Sequence, residues 1–106
     1  MASWKKLKIY LAETDQWQHQ ALYQVIVEKA RHYPLAGATV TRAIEGFGAD
    51  LKLHSSNILA LSDDLPITIS IVDDEQKVRD FYQKIKEMIP GKLVILGAVE
   101  VLQNDP

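Results

Sequence analysis

A chain of 106 residues, 47% hydrophobic and 25% charged, has room for one globular core, so residues 1–106 are read as a single domain. The formal net charge of −2 removes the usual electrostatic case for nucleic acid, and the lack of cysteine excludes a disulfide framework, a thiolate zinc site and a thiol nucleophile. No run approaches the roughly 20 apolar residues that cross a bilayer, and Met1 to Lys6 lacks the apolar core of a signal peptide; a cytoplasmic location without membrane insertion is expected.

Lys6 to Ala12 alternates, with Leu7, Ile9 and Leu11 on one face and Lys6, Lys8 and Tyr10 on the other, which is the period of a strand. Glu13 to Gln16 is polar and turn-forming, and Thr14 or Asp15 is available to cap a following helix. From about Gln20 to His32 the residues Leu22, Val25, Ile26 and Ala30, then Tyr33, recur at helical spacing. Pro34 and Gly37 close that element.

Ala38 to Ile44 is rich in β-branched residues and predicts a second strand, with Val40 and Ile44 on one face. Leu65 to Val72 alternates again, its apolar face formed by Ile67, Ile69 and Ile71. Asp73 and Gln76 have capping-box spacing ahead of a second amphipathic helix that buries Val78, Phe81, Tyr82, Ile85, Met88 and Ile89. Pro90-Gly91 ends it, and the apolar run Lys92 to Leu102 predicts a fourth strand with a bend at Gly97.

The order βαββαβ is the ferredoxin-like α+β sandwich: a four-stranded antiparallel sheet with both helices on one face. Its uncovered face is expected to carry Tyr10, Thr39, Thr41, Thr68, Ser70 and Val72, without charge, which suits burial against another subunit. A hydroxyl-rich face on a monomer is the alternative. Between the second and third strands, Gly46 to Asp64 is longer than a minimal connection needs, and loops of that length are commonly functional.

Within this frame, Gly37 to Val40, Arg42 to Gly48, His54-Ser55, Leu61 to Ile67 and Ile71 to Asp73 resemble the bacterial and archaeal proteins grouped as domain of unknown function 190, which are similar to the nitrogen regulator PII. The combination of Gly-x-Thr-Val, Gly-Phe-Gly and Ser-x-Asp-Leu-Pro carries the resemblance along essentially the whole chain. It implies a PII-like subunit, a homotrimer, nucleotide sites in clefts between subunits, and an effector loop at residues 46–64.

Gly46-Phe47-Gly48 looks like the start of that loop, and Gly91-Lys92 like the last two residues of the family's phosphate-binding loop. Glycine lets backbone N–H groups approach a phosphate and lysine adds a point charge. Two PII features have no counterpart. Met88 to Lys92 is a bare turn in place of a glycine-rich segment, and no arginine follows the last strand. The loop also contains no tyrosine.

The expectation is a non-enzymatic signalling protein that binds a small anionic ligand or nucleotide, without a resident cofactor, and addresses a protein target through the loop. Its ligand-binding residues are expected to be Arg42, Gly46, Phe47, Gly48, His54, Gly91 and Lys92. One alternative is a divalent-metal-binding trimer resembling the cation tolerance proteins, with His54 and Asp63 as ligands, although His19, His32 and His54 lack short metal-ligand spacing. The other is a small ferredoxin-fold enzyme with His54 as general base.

Overall fold

The computed structural model describes residues 3–47, 54–55 and 64–105, with backbone alone at 54–55. The elements in chain order are β1 (Trp4–Ala12), β2 (Gln16–Trp17), β3 (Gln20–Ala21), α1 (Leu22–His32), β4 (Gly37–Arg42), β5 (Glu45–Gly46), β6 (His54–Ser55), β7 (Pro66–Asp74), α2 (Glu75–Ile85) and β8 (Leu93–Val99), with a 3-10 turn at Lys86–Met88. The main sheet has the order β4-β7-β1-β8, antiparallel throughout. With α1 and α2 it forms the ferredoxin-like α+β fold.

Alternation determines which face is buried. Leu7, Ile9 and Leu11 on β1 pair with Ile71, Ile69 and Ile67 on β7, and all six are buried under the helices. The helices contribute Leu22, Ile26 and Ala30 from α1 and Val78, Phe81 and Ile85 from α2. Met88 and Ile89 close the end of this core. Each large aliphatic side chain removed from water contributes about 1.5–3 kcal/mol, and this layer supplies most of the driving force for folding.

Several predicted details differ. The helix does not follow directly from Thr14 or Asp15: a two-residue ladder, β2 with β3, comes first, and α1 starts at Leu22 behind Ala21, which makes no side-chain cap. The Asp15 carbonyl instead accepts the Leu22 N–H at 2.9 Å. The hairpin turns through Gln18 (φ 50) and His19 (φ 68), both left-handed, as a tight primed turn requires.

The cap of α2 is Asp74, one residue after the predicted Asp73; its carboxylate accepts the Lys77 N–H at 3.0 Å, while Gln76 donates to Asp80. Ser3 gives its carbonyl to the Glu75 N–H, satisfying another free donor of the first turn. The second strand stops at Arg42, and Ile44 is 77% exposed, outside the strand face predicted for it. β8 is shorter than the predicted strand, ending at Val99, and its ladder with β1 runs through Gly97, which pairs with Lys6.

The uncovered sheet face is also not charge-free. Register places Lys6 beside Val72 and Gly97, and Lys8 beside Ser70 and Ile95. The same face carries Tyr10, Thr39, Thr41 and Thr68, together with exposed Leu93 and Ile95. Period-2 alternation from Tyr10 requires both lysines to lie there.

Candidate functional site

β1 and β4 end, and β7 and β8 begin, at the same end of the sheet. Antiparallel pairing thereby gathers Arg42, the feet of the 46–64 segment and Gly91-Lys92 at that end. The centre of the arrangement is the turn Glu13-Thr14-Asp15, which leaves the inner strand β1. Arg42 approaches it from edge strand β4, and Lys92 from the residue preceding edge strand β8.

Each residue of the turn holds a different segment. Arg42 Nη2 is bonded to Glu13 Oε2, in an ion pair whose arginine is 58% and glutamate 18% exposed. Thr14 donates both its backbone N–H, at 3.1 Å, and its hydroxyl, at 2.7 Å, to Asp64 Oδ1. Lys92 Nζ donates to Asp15 Oδ2 at 2.8 Å, and the same oxygen accepts the Ala12 N–H at 2.8 Å.

The backbone reinforces this grouping. The Glu13 N–H donates to the Leu65 carbonyl and the Ala43 N–H to the Pro66 carbonyl, both at 2.8 Å. Gly46 lies close to the same proline: a Cβ built at Gly46 would rest 3.4 Å from Pro66 Cγ. Gly46 and Glu45 pair with His54 and Ser55 through a short backbone ladder, so the segment leaves the sheet as a ribbon.

The predicted residues can therefore be placed individually. Arg42 and Lys92 converge on one turn. Gly46 and the backbone of His54 form the root of the ribbon, and Phe47 follows with 66% exposure. Gly91 has φ 75, the left-handed conformation that releases the chain from Pro90 into β8. Gly48 and Asp63 lie outside the described residues, as does the rest of 48–53 and 56–63.

Sequence pattern does not single out Glu13 and Asp15 as site residues. The available signal was an acid-x-acid pair directly after a strand, which reads equally well as a helix entrance. Their ion pairs link residues far apart in sequence, beyond the reach of local pattern.

A cavity of about 1010 Å³ lies elsewhere, lined by residues of α1, α2 and their surroundings, including Tyr23, His32, Tyr33, Phe81 and Lys84. None of the predicted ligand residues that are described with side chains, Arg42, Gly46, Phe47, Gly91 and Lys92, lines it. Tyr33 packs edge-on against Phe81 at 5.6 Å, with Lys84 Nζ 5.9 Å from the Tyr33 ring centre. These contacts account for the aromatic wall as packing. Among the described residues, no group of three or more His, Asp or Glu is positioned to hold a metal ion, and no helix is long and apolar enough to cross a membrane.

Comparison with known proteins gives a consistent result. The family DUF190, described as "Uncharacterized ACR", matches residues 4–101. A UPF0166 protein of Aquifex aeolicus is 34% identical over 98 residues, 92% of either chain. Among solved structures, CPII, a nitrogen regulatory PII-like protein from Thiomonas intermedia K12 bound to ADP, AMP and bicarbonate, aligns with a TM-score of 0.70. It is 17% identical, over 94% of this chain and 89% of its own. The divalent ion tolerance protein CutA1 from Ehrlichia chaffeensis aligns with a TM-score of 0.61 and 13% identity, over 98% of this chain and 88% of its own. At these identities the two structural likenesses are likenesses of fold.

Proposed function

The chain belongs to the DUF190 family, and from that premise we propose that it is a PII-like regulatory protein that binds a small anionic ligand and reports occupancy through residues 46–64. The observation that carries this reading is the convergence of Arg42 and Lys92, from the two edge strands, on the turn whose Thr14 holds Asp64. Two cations beside the feet of one long segment can stabilise an anion and transmit its presence to that segment.

A nucleoside diphosphate suits this chemistry, because its adjacent phosphates can meet a guanidinium and an ammonium together. The fold neighbour CPII bound to ADP is in keeping with such a ligand. The site is completed between subunits of a homotrimer in the cytoplasm, and the segment addresses a protein target. The protein performs no chemistry on its ligand: binding shifts the population of segment conformations, which requires different affinity for the two states.

Thermal unfolding against adenine nucleotides, small anions and divalent metals, with the mass in solution checked, tests the reading. A nucleotide at about a hundred times its dissociation constant adds roughly 2.7 kcal/mol and raises the midpoint. Arg42→Ala and Lys92→Ala should remove that shift. A shift produced only by metals, and lost in His54→Ala, would replace this reading with the metal-binding one.

A further inference from the structure

We propose that Glu13 and Asp15 are the selectivity residues of the anion site. They pair with Arg42 and Lys92, and only a ligand bearing at least two adjacent anionic groups displaces both. The inference rests on the anion-site reading above and adds the chemical class of ligand that the site accepts.

Arg42 is bonded to Glu13 and Lys92 to Asp15, so each cation enters a binding event already neutralised. A monoanion that takes one cation replaces one carboxylate with another anion and leaves the displaced side chain without its ion pair. For Glu13, which is only 18% exposed, that loss is poorly offset by water. A phosphate chain engages both cations at once and supplies more negative charge than the two carboxylates it displaces.

Position adds a second consequence. The two acids flank Thr14, whose N–H and hydroxyl both rest on Asp64, the residue that leads the chain back towards β7. Displacing the acids on both sides of Thr14 perturbs its hold on Asp64. Ligand choice and the signal thus use the same three-residue turn.

The isosteric variants Glu13→Gln and Asp15→Asn remove the competing charge while retaining an oxygen that can accept a hydrogen bond. In Asp15→Asn the amide oxygen can still accept the Ala12 N–H. Calorimetric titration with inorganic pyrophosphate and with acetate, on wild type, each variant, the double variant, Arg42→Ala and Lys92→Ala, tests the inference. Pyrophosphate should bind wild type far more tightly than acetate, and each neutral variant should bind pyrophosphate roughly fivefold more tightly, the scale of a partly exposed ion pair.

A merely structural role for the acids would lower the unfolding midpoint without raising affinity. If the alanine variants lose pyrophosphate while the neutral variants gain nothing, this inference falls and the anion site stands. If the alanine variants bind as well as wild type, or pyrophosphate binds neither wild type nor the double variant, the anion-site reading falls and takes the inference with it.

Discussion

The carboxylate of Asp73 accepts the backbone N–H of Ala36 at 2.9 Å, joining the end of β7 to the connection between α1 and β4. Its other oxygen accepts the Asp74 N–H at 2.6 Å. Asp73 is 5% exposed and is the buried charged residue among the described residues. Two backbone donors compensate for its removal from water.

Asp73→Ala leaves those donors unpaired and is expected to destabilise the fold by about 2 kcal/mol. Chemical denaturation measures it. Asp74→Ala, one residue on, loses only the cap bond to Lys77 and should cost about 1 kcal/mol. The opposite ranking would show that the two aspartates had been assigned the wrong roles.

Gln18 and His19 both hold left-handed backbone in the β2–β3 turn. Side-chain-bearing residues resist that conformation by about 1 kcal/mol, whereas glycine adopts it freely. His19→Gly is therefore expected to raise stability by up to about 1 kcal/mol, despite adding freedom to the unfolded chain. A lower unfolding midpoint would mean that the imidazole makes a compensating contact.

The Glu75 carboxyl is held below the usual carboxylate range, first by its hydrogen bond from Arg79; loss of solvent opposes this as the next largest effect, and Lys5 and the Arg79 charge add smaller downward effects. A depressed folded-state pKa contributes stability that is present above the unfolded value and is lost as pH falls through the folded one. Partial exposure of both partners to solvent keeps the energetic effect small. An NMR titration should find the Glu75 midpoint below that of a free glutamate and moved upward in Arg79→Ala; an unmoved midpoint would contradict the assignment.

Leu93 and Ile95 are exposed on the open sheet face, in register with Tyr10 and Lys8. If copies of this chain cover that face, Ile95→Asp places a carboxylate in a desolvated contact and should reduce the mass in solution towards that of one chain. Light scattering measures it. Full retention of the wild-type mass would place the subunit contact elsewhere.

Period alone was sufficient to read the core: Leu7, Ile9 and Leu11 on a strand, and Leu22, Ile26 and Ala30 on a helix, have spacings that leave one geometry each. The β2–β3 hairpin was not legible, because Gln18-His19 lacks the Asn-Gly signal of a primed turn. The exchange of roles between Asp73 and Asp74 turns on one residue of register, finer than capping preferences resolve. Lys6 and Lys8 lay in plain view in the alternation and belong on the open face by the same rule that buries Ile9.

At the candidate site, Arg42 and Lys92 were legible through family resemblance. Their partners Glu13 and Asp15 were not, since ion pairs across a sheet leave no local trace. Thr14 was readable as a helix cap, but its bonds to Asp64 depend on β7 lying beside β1.

The central claim is that an anion held by Arg42 and Lys92 is reported through the segment between β4 and β7. Amide hydrogen exchange across residues 43–66, with and without saturating ADP, tests it most directly. The account predicts slowed exchange in ADP that Lys92→Ala does not show. Unchanged exchange at proven saturation would contradict it.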